Sequence, residues 1–218
     1  MNDIIIINDE ITLKKEEKAE LYIKVFWEEP RNEWYTCPDC KTTFWLSEIT
    51  RNEIKQCLCW GDLKNYYDNN EIQNDWTKRA NKEWYIWKLA QTLDNDFIWF
   101  MMGRKDNIDN LNQEKLWLES ENLTSLQEEI KAVYPDFDLN NFFYVAEVGV
   151  KKDYRSKKIA SRLFNKATQE AKENGYKYIL LRTTTKEWWP YQWRTNIGYK
   201  IIFSYNDENQ RVIMAKEC

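Results

Sequence analysis

Residues Asn141–Val150 read NFFYVAEVGV, a run that offers carbon to both sides of any extended strand. A strand apolar on both faces must be covered on both faces, which predicts a central place in a sheet. A basic turn follows, and then a helix over Ser156–Asn174 with Ile159, Leu163, Ala167 and Ala171 at successive i+4 positions. Gly175 is placed to cap that helix, and Tyr176–Arg182 reads as another strand. Strands alternating with helices predict a mixed α/β (α+β) sheet with helices packed on it.

The rest of the chain fits that class. Ile4–Ile7 reads as a buried strand, and Leu13–Trp27 as a helix with Leu21, Tyr22, Val25 and Phe26 on one face and Pro30 just past its end. Trp84–Thr92 and Phe97–Met102 form a hairpin pattern across residues 93–96. Asn107–Asn112 reads as polar loop. Thr124, with Gln127 three residues on, predicts a capped helix start, and Pro135 predicts its stop. A short helix is expected from Pro190 to Asn196, then Gly198 and a hairpin of Tyr199–Tyr205 with Arg211–Lys216. No internal repeat is visible. The expectation is one domain over 1–218, with 31–80 inserted as a cysteine- and aromatic-rich subdomain.

Charge is divided unevenly. Of 32 Lys and Arg and 36 Asp and Glu in the chain, residues 151–218 hold 15 and 7, leaving 17 and 29 before them. The acidic part argues against broad nucleic-acid binding, while the basic part suits an anionic ligand. No apolar run approaches the roughly 20 residues of a membrane helix, so no membrane partner is expected. Ile4–Ile7 is too short for a signal peptide and lies between Asp3 and Asp9; the expectation is a cytoplasmic protein. Histidine is absent. Acid–base chemistry must therefore use carboxylates, Tyr, Lys, Cys or water, and a transition-metal site must rest on cysteine.

Cys37-Pro38-Asp39-Cys40 and Cys57-Leu58-Cys59 place two close thiol pairs either side of a loop. That is the pattern of a tetrahedral four-cysteine Zn²⁺ site, closed and therefore structural. Unligated structural cysteines and a redox pair are the alternatives. Trp34, Tyr35, Phe44, Trp45, Trp60, Tyr66, Tyr67 and Trp76 surround them. These rings either pack the insertion or wall a cationic amine. A zinc-ribbon nucleic-acid binder is disfavoured, because residues 31–80 carry seven Lys and Arg against eight Asp and Glu.

The turn before the 156–174 helix reads VKKDYRSKKIAS. The first turn of a helix offers unpaired N–H groups and the positive end of the dipole, so it favours pyrophosphate. A basic helix start on a bare surface reads the same way. With Lys158 helical, its N–H would still donate and its side chain would swing outward. Val150, Arg155, Lys158, Ile159 and Ala160 follow the spacing of a loop in a known family. With Arg182-Thr183 and Ile197-Gly198-Tyr199, they make residues 141–203 resemble the GNAT superfamily of acetyl-CoA-dependent N-acetyltransferases. Lys158 stands where that family usually has glycine.

The resemblance implies a mostly antiparallel sheet with helices on both faces, and acetyl transfer to a small-molecule or protein amine by direct attack. It implies coenzyme contacts from Val148, Gly149, Val150, Arg155, Ser156, Lys157, Lys158, Ile159, Ala160 and Ser161. Glu147 is implied as general base, or else is a polar residue at a strand edge. Arg194 stands where many members have the tyrosine that protonates the departing thiolate, which leaves Tyr191 for that role. Tyr144, Trp188, Trp189 and Arg194 are implied as pocket residues. A catalytically degenerate scaffold, binding partners through the cysteine insertion, is the competing reading.

Overall fold

The expected central strand is present as β7, Phe142–Val150. The computed structural model of the chain describes residues 5–8, 33–40, 42–45, 56–65, 74, 86–94, 97–154, 157–185, 192, 194–205 and 210–218. The other strands are β1 (Ile5–Asn8), β2 (Glu33–Thr36), β3 (Thr43–Trp45), β4 (Lys64–Asn65), β5 (Ile86–Gln91) and β6 (Phe97–Asp106). They are followed by β8 (Tyr178–Thr184), β9 (Lys200–Ser204) and β10 (Arg211–Glu217). Helices are numbered α1 (Ile108–Leu111), α2 (Ser120–Val133) and α3 (Ile159–Glu173). The expected helix over Leu13–Trp27 lies outside the described residues. No helix among the described residues is long and apolar enough to cross a membrane.

The larger sheet has the order β1-β5-β6-β7-β8-β10-β9, and the smaller has the order β3-β2-β4. β7 and β8 are parallel, whereas β10 is antiparallel to both of its neighbours. By compactness the chain forms two units. The first takes 1–81, 89–99 and 149–157, and the second takes 82–88, 100–148 and 158–218.

The second unit shows why β7 must be apolar on both sides. Phe142 and Tyr144 pack in one core with Leu126 and Ile130 of α2 and with Leu180 of β8. Phe143 and Val145 pack in the other with Phe164, Ala167 and Ala171 of α3 and with Ile179. Helices thus cover both faces, as the sequence implied. Gly103 serves this packing: a Cβ there would lie 2.2 Å from the Phe143 ring. Lys88 of β5 is buried and forms an ion pair with Glu170 of α3. Burial makes that partner obligatory for the ammonium.

Local departures from expectation have local causes. Residues 107–112 are not loop. The Asn107 side chain accepts from the Asn110 N–H at 2.8 Å and starts α1, which buries Ile108 and Leu111. A π turn over Asn112–Leu116 continues it. Thr124 does not begin α2, which starts at Ser120; the Thr124 hydroxyl instead donates to the Ser120 carbonyl. α3 begins at Ile159 rather than Ser156. The i+4 stripe of Ile159, Leu163, Ala167 and Ala171 is buried, and Gly175 ends the helix at φ 85.

Candidate active site and cysteine cluster

β7 and β8 run side by side only briefly. Their ladder goes from Phe143↔Ile179 to Val145↔Leu181, while β7 continues to Val150 and β8 to Thr184. Beyond the last rung the alternation of β7 slips. Phe142, Tyr144 and Ala146 belong to the α2 core, but Val148 packs with Phe143 and Val145 in the α3 core. Strict alternation is therefore not kept between Ala146 and Val148. Glu147, half-buried and just before Val148, acts electrostatically on the Tyr144 hydroxyl.

The Tyr144 face carries a row of charges. Burial pushes the Tyr144 phenol well above its usual range; Arg182 opposes this, Glu147 adds to it and Arg104 opposes it again. Arg104 is buried, and its Nη2 lies 2.6 Å from Asp106 and 2.7 Å from Glu114. Burial works against its charge, and the two carboxylates more than offset that. A recess of ≈ 340 Å³ lined by Arg104, Asp106, Asn110 and Glu114 is therefore filled electrically by its own ion pairs. Arg182, on the same face of β8, stays half-buried against Trp117.

Lys158 corrects the sequence reading of the turn. It is not helical: φ is 57°, in the left-handed region, at the N-cap of α3. Lys158 therefore adopts the conformation for which glycine is usually chosen, at a cost of about 1 kcal/mol for a residue with a Cβ. Its side chain is exposed, and the Arg162 N–H bonds back to its carbonyl at 3.3 Å. The first-turn N–H groups of Ile159 and Ala160 lie upstream of that bond. In the first unit, Gly149 is buried, the Lys151 N–H bonds to Ile98 at 2.9 Å, and Lys157 lies 4.6 Å from the Tyr154 ring centre.

Arg155, Ser156, Trp188, Trp189 and Tyr191 lie outside the described residues. Arg194 acts on Tyr199, which is buried in the α3 core, whereas Tyr144 belongs to the α2 core. Trp117, Tyr205 and Arg211 went unread in the sequence. The only signal was a charged residue, Arg182, ending an apolar strand on its Leu180 face.

In the first unit the four cysteines converge. Cys37 and Cys59 sulfurs are 3.3 Å apart, Cys40 and Cys57 sulfurs are 3.4 Å apart, and all four lie within 4.8 Å of one another. None forms a disulfide. Two turns place them. The Cys37 N–H bonds to the Thr42 carbonyl at 2.9 Å, and the Cys57 N–H bonds to Gly61 at 3.0 Å. Trp60, at φ 68, lets the second turn close. The Thr42 hydroxyl and backbone hold Cys40 down at about 6. Cys59, although lowered by a bond to the Gly61 backbone, is pushed up to about 12 by the other three sulfurs. Four thiols this close cannot all ionise without a cation between them. Four sulfurs at these spacings fit the ligand shell of one tetrahedral Zn²⁺, with Zn–S of about 2.3 Å.

Residues 130–187 match the family model described as the acetyltransferase (GNAT) family. No curated protein matches the chain. Among solved structures, a mosquito arylalkylamine N-acetyltransferase-like 5b protein is 14% identical, with 99% of this chain and 100% of that one covered and a TM-score of 0.58. The PaiA N-acetyltransferase of Thermoplasma acidophilum, solved with coenzyme A, is 14% identical at TM-score 0.55, with 99% of each chain covered. A Bacillus anthracis protein described as a streptothricin acetyltransferase, solved with acetyl coenzyme A, is 15% identical at TM-score 0.52, again with 99% of each covered. At these identities the likeness is one of fold.

Proposed function

We propose, from the premise that this chain is an acyltransferase carrying the GNAT acetyltransferase domain, that it moves an acetyl group from acetyl-CoA to a primary amine by direct attack. The observation that carries the reading is the ladder of β7 and β8 ending at Val145↔Leu181, with Glu147 just beyond it and acting electrostatically on Tyr144. Where a ladder ends, backbone donors and acceptors face outward and can bond an amide-bearing arm.

The start of α3 supports the coenzyme reading. Lys158 holds the left-handed turn, and the first-turn N–H groups that follow suit pyrophosphate. Bound acetyl-CoA supplies an activated acetyl group. Glu147 accepts the proton that the amine, ordinarily charged near pH 7, must lose before it attacks. Tyr191 is retained as the group that protonates the departing thiolate. The acceptor is a small-molecule or protein amine. The cysteine cluster holds a structural Zn²⁺ that orders the turns around it.

Calorimetric titration with acetyl-CoA, beside adenosine as control, tests this function. Saturable binding that requires the pyrophosphate is expected; no binding by folded, metal-loaded protein overturns it. One observation favours a second role for the cysteine turns, as a binding surface: Leu58 is 98% and Trp60 83% exposed.

A further inference from the structure

The Tyr144 face of the sheet also carries two arginines, each set against an aromatic ring. On β8 and β10, Arg182 stands across from Ile213 and Thr184 across from Arg211. Residues directly opposite share a face, so Arg182 and Arg211 rise from the same side as diagonal neighbours. The Arg182 guanidinium lies 5.7 Å from the centre of the Trp117 ring, and its Nη1 donates to the Lys115 carbonyl. The Arg211 guanidinium lies 5.0 Å from the Tyr205 ring. Ile213, opposite Arg182, packs in one core with Tyr144, and Tyr205 packs against the same core; the Tyr144 phenol also feels the charges of Arg182 and Glu147.

The support under Trp117 is built rather than incidental. The Asn112 side chain accepts from the Leu118 N–H at 2.8 Å and donates to the Leu118 carbonyl at 3.1 Å. The Trp117 N–H closes the π turn onto the Asn112 carbonyl at 2.9 Å. This clamp holds Trp117 at φ 52, a costly backbone state for a bulky residue. Burial does not repay that cost, because Trp117 is 65% exposed. π turns and left-handed non-glycine residues recur at functional sites, where the strain holds a group in place. Here the group held is an aromatic platform for Arg182.

We propose that Arg182 and Arg211, on their Trp117 and Tyr205 platforms, bind a carboxylate of the acceptor, so that the acceptor is an amine carrying its own acid group, such as an amino acid. This rests on the acetyl-transfer reading and narrows its acceptor. A guanidinium lying over a ring keeps N–H groups at its edge, and these can donate to the oxygens of a carboxylate. Two guanidiniums on one face also repel an amine that brings no negative charge of its own. Glu147 supplies an acidic partner for the amine end. A carboxylate beside two guanidiniums complements an aminocarboxylate better than a plain cationic amine.

The test uses the intact, metal-loaded chain. Acetyl-CoA titration comes first and examines the acetyl-transfer reading alone. Matched acceptors are then compared by thiol release: phenylalanine with phenethylamine, and lysine with cadaverine. A preference on the order of tenfold or more in kcat/KM for the carboxylate-bearing member of each pair is expected. Arg182→Gln and Arg211→Gln should each shrink that preference, through KM, by on the order of tenfold with acetyl-CoA affinity unchanged. Arg182→Lys, which keeps the charge but loses the fork and the stack, should shrink it too. If Arg182→Gln fails to fold, Arg211→Gln carries the test. Coenzyme binding with a preference for the carboxylate-free amines, or with a preference that neither arginine variant alters, overturns the inference and leaves acetyl transfer standing. Absence of coenzyme binding overturns both.

Discussion

A Cβ added to Gly61 would lie 2.8 Å from the Cys37 sulfur and 2.4 Å from an Asp39 carboxylate oxygen. Glycine is thus required there by the close approach of the two cysteine turns. If these turns hold a metal, elemental analysis of untreated protein should find about one Zn per chain, absent in Cys37→Ser. Gly61→Ala should lower zinc retention under chelator challenge, because the added methyl presses on a ligand sulfur. Chelation should cost on the order of 10 kcal/mol of ordering energy in this unit, visible as lost far-ultraviolet circular dichroism. Full metal content in Cys37→Ser would refute the assignment.

Glu147→Gln removes the proton acceptor while keeping shape and hydrogen bonding. Turnover should fall by about 10²-fold or more, the usual worth of a positioned base, with acetyl-CoA affinity unchanged. Unimpaired turnover would exclude Glu147 as the base.

Lys158→Gly should stabilise the protein. Relief of the left-handed strain, about 1–2 kcal/mol, outweighs the added freedom of glycine in the unfolded chain, about 0.4–1 kcal/mol. Denaturant melts should show a net gain of up to about 1.6 kcal/mol, and calorimetry should show coenzyme affinity no weaker than before. A clear loss of stability would mean that Lys158 has an interaction worth more than its strain.

Gly103→Ala puts a methyl where the Phe143 ring lies, with the Tyr144 carbonyl 3.1 Å away. Overpacking of this kind costs about 1–3 kcal/mol, so urea melts should shift to lower midpoint without a change in slope. Wild-type stability would show that the ring moves freely.

Much of the fold was legible because its signals are local. β7 betrayed its central position by carbon on both faces, and α3 its buried stripe by i+4 spacing. The cysteine spacing anticipated a cluster that the fold does close. The α1 segment was misread as loop because its polar Asn107 and Asn110 cap the helix rather than face solvent, and Asp106 gathers both of them. Thr124 looked like a helix cap because a hydroxyl bonds to nearby backbone at a cap and inside a helix alike.

By itself the sequence determined the strand–helix–strand order, the glycine-free turn, the reliance on sulfur and carboxylate in a chain without histidine, and Glu147 as the acid on the central strand. Tertiary structure alone decided where those groups meet. The break in alternation along β7 turned Val148 into the α3 core, and the register of β8 with β10 set Arg182 beside Arg211. The Asn112 clamp brought Trp117, from far earlier in the chain, under Arg182. The reason is physical. Side-chain periodicity is written into a strand residue by residue, but register, bulges and the pairing of distant strands are settled by the packing energy of the whole sheet.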